Sequence, residues 1–286
     1  MMNEDERIEA QVIGLGPPMP LRKTSKVKPT SNPHAQRGPK RRSKRRSKSR
    51  SRRPRHWILR ILLAGILLVV FLTAAPIALL RFVPPPTTAF MWQSYAADPA
   101  TGRACPRVAY DWIAWPHIAK ELPRAILVAE DQRFFEHRGF DTKAIGTAVD
   151  DFVAGGRLRG ASTATQQVAK NLFLWPGRSL LRKGLEAWLT LWIESLWPKQ
   201  RILEVHLNIA QFGPCVFGVE AASRRFYGIG ASRVSARQAA RLAAVLPAPG
   251  RMRVDDPGPF TERRTEEILT EMRRGGGPMY LNALRH

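Results

Sequence analysis

A chain of 286 residues with a formal net charge of +23 and two cysteines has ample material for a hydrophobic core and is no disulfide-framework miniprotein. The charge is uneven: residues 1–60 hold 18 Lys/Arg against 4 Asp/Glu, a balance of +14, which leaves +9 for the remainder. That asymmetry excludes one evenly mixed soluble domain.

Residues 1–39 mix Pro, Gly, Ser and Lys with short acidic patches and show no apolar periodicity. Such a segment cannot bury enough surface to offset the entropy of ordering and is expected to be disordered. From Lys40 to Arg55 nearly every residue is Lys, Arg or Ser, and eleven are cationic. Alone, this run would suggest nucleic-acid binding. Its position argues otherwise, because Ile61 to Leu80 is a stretch of twenty residues without a charge, about 30 Å long as a helix and matched to a bilayer core. We read residues 1–56 as a disordered basic cytoplasmic tail and residues 57–82 as a single transmembrane helix. The positive-inside rule then places the rest of the chain outside. Anionic headgroups account for the charge of the tail, so no nucleic-acid partner is expected. The length of the apolar core and its distance from the N-terminus argue against a cleaved signal peptide.

Residues 83–116 read as a juxtamembrane linker, with Pro84-Pro85-Pro86 followed by Phe90, Met91, Trp92, Tyr95, Tyr110, Trp112 and Trp115. Aromatic side chains just beyond a span fit an interfacial belt or a domain surface resting on the bilayer. In residues 117–286 helix signals dominate, and neither strand alternation nor an internal repeat is visible. The expected fold is mainly α, one helical domain behind the membrane helix.

Within that domain, Leu122 to Ala129 predicts a helix with Pro123 tolerated in its first turn. Helical spacing puts Glu130 on the face of Ile126 and Phe134, so its carboxylate points toward the buried side and its pKa should be raised. Glu130 is therefore the catalytic candidate; the alternative is a helix-end ion pair with Arg133 or Lys120. Asp141 is placed to cap a helix through Ala154, and Ser235 with Gln238 forms a capping box. Thr261 to Arg274 reads as the last helix, stopped by Gly275-Gly276-Gly277.

Gly155 to Gly160 reads as a mobile basic connector, and a polar helix start follows it. Ser162, Gln166 and Lys170 fall on one helical stripe and offer a hydroxyl, an amide and a cation; a capped amphipathic helix with a solvated face would look the same. Arg178, Arg182, Lys183 and Glu186 follow on the next helix, where Glu186 is a carboxylate among cations. The run Leu185 to Trp197 fits core or a membrane-facing surface, and core is favoured for most of it because its apolar residues recur on more than one face. Cys105 and Cys215 match no metal-ligand spacing and read as structural, with a single bridge left open.

Four motifs occur together in the chain. They are Glu130-Asp131-x-x-Phe134-x-x-His137-x-Gly139-x-Asp141, Gly160-x-Ser162-Thr163-x-Thr165-Gln166-Gln167-x-x-Lys170-Asn171, Arg182-Lys183-x-x-Glu186 and Ile202-Leu203-x-x-x-Leu207-Asn208. In order and spacing the chain resembles the peptidoglycan glycosyltransferase family, in its monofunctional form, over about residues 107–285. It departs from the family pattern at His206, where a Tyr is usual, and at Gln238, where a Glu is usual.

The resemblance implies a lysozyme-like helical glycosyltransferase domain that elongates glycan strands from lipid II. The lipid pyrophosphate of the growing chain would be the leaving group and a sugar 4-hydroxyl the nucleophile. It implies Glu130 as general base and Glu186 as the second catalytic carboxylate. Ser162, Gln166, Gln167, Lys170, Arg178, Arg182, Lys183 and Asn208 are the implied substrate-binding residues. No metal-ligand cluster is visible, and a divalent cation at the leaving group stays open. Expected partners are lipid II, the growing lipid-linked glycan and the bilayer, with room for other cell-wall synthesis or division proteins. The expected location is a bacterial cytoplasmic (inner) membrane, with the catalytic domain on the periplasmic side.

Overall fold

The computed structural model describes residues 56–155, 162–177 and 179–274. The basic tail up to Arg55, most of the Gly155–Gly160 connector, Arg178 and the glycines after Arg274 lie outside the described residues.

The first element, α1 (His56–Leu80), is long and apolar enough to cross a membrane. Its side chains are exposed along nearly the whole length, apart from Ile77, which is fully buried. An apolar helix with so little protein cover is compatible with a single-pass membrane anchor. Its C-terminal end is fastened to the domain. The Trp197 indole donates to the Ile77 carbonyl at 2.7 Å, Arg81 donates to the Leu196 carbonyl at 2.8 Å, and Arg201 donates to the carbonyls of Leu80 and Val83 at 2.8 and 2.9 Å. Arg201 thus satisfies carbonyls that a helix end leaves open, where a cation also complements the helix dipole.

Residues 83–116 are built into the domain. In α2 (Ala89–Ser94), Thr88 caps the first turn and Phe90 and Met91 are buried, whereas Trp92 and Tyr95 stay exposed. The domain is mainly helical, as expected, but it also carries a small sheet. In that sheet β1 (Ala109–Tyr110) runs parallel to β3 (Val216–Phe217), and β2 (Gln211–Gly213) pairs antiparallel to β3. Strands of two or three residues are too short to show alternation, which is why the sequence hid them. A disulfide joins Cys105 to Cys215 across a separation of 110 residues and ties the segment before β1 to the β2–β3 turn.

The remaining helices enclose one core. They are α3 (Glu121–Glu130), α4 (Thr142–Val153), α5 (Ala164–Phe173), α6 (Leu180–Leu196), α7 (Lys199–Ile209), α8 (Val219–Tyr227), α9 (Ala236–Val245) and α10 (Pro259–Arg274). Helix α3 packs on α9 and α10, and α5 packs on α6 and α7. Leu122, Ile126, Val168, Ile202, Leu203, Leu207 and Leu242 are wholly inaccessible to solvent. The Ser235–Gln238 capping box opens α9 as expected, with each partner bonded to the other's backbone.

Helix α6 divides its apolar residues between two faces. Leu189 and Ile193 join the core, and Trp197 caps that face just beyond the helix. Leu180, Leu181, Leu185, Trp188 and Leu191 are exposed. The expectation of core for most of Leu185–Trp197 therefore holds for one stripe only. Trp188 instead closes an apolar groove of about 540 Å³ together with Ile61, Leu62, Ile66 and Val69 of α1.

Candidate active site

Helix α3 ends at Glu130 because Asp131 adopts a non-helical backbone conformation (φ −158°, ψ 73°). The Asp131 carboxylate then accepts from His137 Nε2 at 2.8 Å and from the Ala164 amide at 2.9 Å. That amide is one of the unpaired donors in the first turn of α5, so the carboxylate both satisfies it and complements the positive end of the helix. The turn after Asp131 closes tightly. Gly139 has φ +83°, and a Cβ there would lie 2.6 Å from Thr190 Cγ2, so no larger residue fits this crossing of α6. Its carbonyl accepts from Thr163 Oγ1 at 2.7 Å.

With α3 and α5 clamped end to start, Gln167 Nε2 donates to Glu130 Oε2 at 2.7 Å. Burial raises the Glu130 pKa, opposed by the Gln167 hydrogen bond and by the charges of Arg264 and Lys170, and reinforced by Asp131. The sequence expectation of a raised value is met, and the alternative partners Arg133 and Lys120 are not used: Arg133 binds Glu136 and Asp141 instead. A cavity of about 240 Å³ opens beside Glu130, lined also by Arg133, Asp141, Ser162 and Thr163.

The second carboxylate, Glu186 on α6, is 2% exposed. Arg182 Nη1 donates to its Oε2 at 2.6 Å, and Lys183 Nζ donates to its Oε1. Lys183 also reaches Ser162 Oγ at 3.3 Å, which links the start of α5 to α6. Lys170 of α5 interacts electrostatically with both carboxylates. Burial lowers its pKa, opposed by Glu186 and Glu130 and reinforced by Arg182 and Lys183. Among the described residues it makes no ion pair within 4 Å, and its ammonium lies 5.4 Å from the centroid of the Phe90 ring.

Of the residues expected at the site, hydrogen bonds and electrostatic interactions link Glu130, Ser162, Gln167, Lys170, Arg182, Lys183 and Glu186, and Glu130 and Ser162 line the cavity; Arg178 lies outside the described residues. Two others have structural occupations. Gln166 is 4% exposed and its Oε1 accepts from the Thr163 amide at 3.0 Å, completing a capping box at the start of α5. The Thr163-x-x-Gln166 spacing carried that signal in the sequence. Asn208 is wholly buried and bonds to both the amide and the carbonyl of Ile113 and to the carbonyl of Glu204. His206, noted in the sequence only as a departure from the family pattern, is wholly buried in α7 and lies with Nε2 3.1 Å from Gln167 Oε1. Its spacing from Glu130 gave no hint of this.

The carboxylates do not offer a cation-binding set. Both oxygens of Glu186 are occupied by Arg182 and Lys183, and Glu130 Oε2 by Gln167. The cluster of Asp98, Cys105 and Cys215 has its two sulfurs in the disulfide.

A family model described as Transglycosylase matches residues 102–273, which takes in the whole cleft. The chain belongs to the transglycosylase family. A biosynthetic peptidoglycan transglycosylase of Xanthomonas campestris pv. campestris is 48% identical over 225 residues, covering 79% of this chain and 92% of the relative. One from Pseudomonas aeruginosa is 49% identical over 205 residues, covering 72% and 88%. One from Xylella fastidiosa is 45% identical over 226 residues, covering 79% and 93%. In this transglycosylase the Glu130 carboxylate lies within electrostatic reach of Lys170, which in turn feels Arg182, Lys183 and Glu186.

Proposed function

We propose that the chain polymerises peptidoglycan glycan strands from lipid II, with Glu130 as general base and a cationic cradle organised by Glu186. Family membership and relatives named for that activity over 72% or more of the chain support the reaction class. The observation that carries the site assignment is Lys170: a half-buried cation that feels both carboxylates and forms an ion pair with neither.

In this reading Glu130 takes the proton from the 4-hydroxyl of the incoming lipid-linked disaccharide. A carboxylate whose pKa is lifted by burial is a stronger base than an exposed one. The hydroxyl oxygen attacks the anomeric carbon of the growing chain, the bond to the lipid pyrophosphate breaks, and the electron pair leaves with the phosphate oxygen. Lys170, Arg182 and Lys183 stabilise that charge, with the Arg fork and the Lys point charges suited to phosphate oxygens. Arg178 joins them on the strength of its sequence position. Glu186 orients Arg182 and Lys183, and Ser162 fixes the second of these. Gln166 and Asn208 act through the backbone they hold.

The topology follows the same reading: a single-pass anchor in a bacterial inner membrane, with the N-terminus cytoplasmic and the domain periplasmic. The cationic run before α1 supports this by the positive-inside rule. The Cys105–Cys215 disulfide supports it independently, because such bonds persist in oxidising compartments. A reporter active only outside the cytoplasm, fused after His286, is expected to be active; a stable but silent fusion contradicts the orientation. Other cell-wall synthesis or division proteins remain candidate partners. The activity is tested by incubating the full chain in detergent with purified lipid II and separating products by size. Long lipid-linked glycan is the expected product; shortened glycan from a supplied polymer would identify a lytic enzyme instead.

A further inference from the structure

Gln167 stands between Glu130 and His206, and its two ends are chemically different. An ionised carboxylate only accepts hydrogen bonds, so Gln167 must present Nε2 to Glu130, as it does at 2.7 Å. Its Oε1 then faces His206 Nε2 at 3.1 Å, and this contact is a hydrogen bond only if that nitrogen carries the proton. The other ring nitrogen, Nδ1, is buried and has no hydrogen-bond partner among the described residues. A proton on Nδ1 would be a buried donor without an acceptor, whereas a bare Nδ1 leaves only a lone pair unmet.

We propose that His206 is a positioning residue for the reaction: locked as the Nε2–H tautomer, it fixes the orientation of Gln167 and thereby holds Glu130 in its carboxylate, proton-accepting form. The logic runs in both directions along the chain of bonds. A protonated Glu130 that donated to Gln167 would need the amide turned over, with Nε2 toward His206. The imidazole would then have to accept at Nε2 and carry its proton on Nδ1, where nothing receives it. The relay therefore opposes a proton on Oε2 directly and a proton on Oε1 through the weakening of the charge-assisted bond from Gln167, without placing a charge beside the base. His206 stays neutral because burial pushes its pKa down to about 4. Groups from the surrounding elements act on the same pair: Glu130 is faced by Lys170 of α5, Arg264 of α10 and its neighbour Asp131, and His206 by Asp131 and Lys170. These charges set the general level of both titrations. The relay adds a directional constraint that none of them supplies.

This inference rests on Glu130 being the general base. The test uses the full chain in detergent with lipid II and compares pH–rate profiles of wild type, His206→Phe, Gln167→Met and the double variant. With either link removed, the acid limb is expected to move up by about one pH unit, a roughly tenfold loss of rate on that limb, and in His206→Phe, which touches no substrate-binding residue's charge, the rate above the limb is nearly kept. The double variant should show no larger shift than either single one, and His206→Gln, whose amide can also donate, should restore part of it. An acid limb that stays in place in His206→Phe while moving in Gln167→Met overturns the proposal, as does a uniform loss at every pH. Should His206→Phe fail to fold, ¹⁵N shifts of the His206 ring in the wild-type chain decide: the Nε2–H tautomer is expected, and Nδ1–H overturns it. A Glu130→Gln variant at wild-type rate would remove the base assignment itself, an outcome distinct from an inactive Glu130→Gln with unmoved profiles, which removes only the relay.

Discussion

Arg182 and Glu186 stand four residues apart on α6 with 2.6 Å between Nη1 and Oε2, and the carboxylate's other oxygen is taken by Lys183. Glu186 is thus the anchor that collects two cations, which separates its part from that of Glu130. Glu186→Gln should lower both stability and rate, because it leaves Arg182 as a buried charge without its counter-ion. Breaking a buried pair in this way costs about 3 kcal/mol at the lower end of the usual range, appropriate here because Lys183 is partly solvated. Melting curves and initial rates on one preparation check it; a stable variant with full rate would show that the cations are held by something else.

Glu130→Gln should separate the two quantities. The rate of chain extension is expected to fall by about 10²- to 10⁴-fold, the usual contribution of a positioned base. Stability should hold or rise at neutral pH. The sign follows from the raised pKa: the folded state binds more protons than the unfolded state between the two pKa values, so ionisation of Glu130 costs stability as pH rises through that window. A neutral amide removes the cost. A melting temperature that drops while the rate is kept would make Glu130 a structural residue.

Lys170→Met should also exchange stability for function. The lowered pKa of Lys170 means that the folded state binds fewer protons than the unfolded state between its folded and unfolded values. Stability therefore rises with pH through that window, and the penalty is complete below it. At neutral pH the apolar variant should melt at an equal or higher temperature. Its rate should fall by roughly 10- to 100-fold, the effect of losing one charge-assisted contact to an anion. Unchanged lipid II dependence and rate would show that the leaving group binds elsewhere.

Cys105→Ser should lower stability by about 2 to 5 kcal/mol, since the bridge closes a loop of 110 residues and so restricts the unfolded chain strongly. Thermal denaturation with and without a reductant checks this. Reductant should lower the wild-type midpoint to that of the variant and leave the variant unmoved; equal midpoints throughout would mean that the bridge contributes nothing to stability.

Much of this architecture was legible because it rests on local rules. The Glu130 helix, the Asp141 and Ser235–Gln238 caps and the apolar run of α1 are all periodicity or capping signals, which need only neighbouring residues. The Glu130 environment was legible for the same reason: a carboxylate in phase with Ile126 must face inward. What local rules could not separate was a polar residue facing a cleft from one satisfying backbone. Gln166 and Asn208 share a polar side chain and a helical position with Gln167, yet the first completes a cap and the second pins Ile113. His206 and the disulfide were hidden for a different reason. Each depends on a partner brought near only by the packing of distant helices or by the β2–β3 turn. The positive φ of +58° at Cys215 belongs to that turn and has no signature in the sequence.

The junction at the end of α1 has a consequence for the growing product. Trp197 and Arg201 donate to the carbonyls of Ile77 and Leu80 at the end of the apolar helix, and Arg81 just beyond it donates to the Leu196 carbonyl of α6, so the anchor joins the domain by direct bonds and not by a free linker. In the proposed topology and mechanism this join holds Glu130, the proposed base, near the lipid surface, the level at which a membrane-bound pyrophosphate sits. The domain cannot follow a lengthening strand outward. The polymer has to do the travelling, fed away from a stationary point by one disaccharide at each turnover.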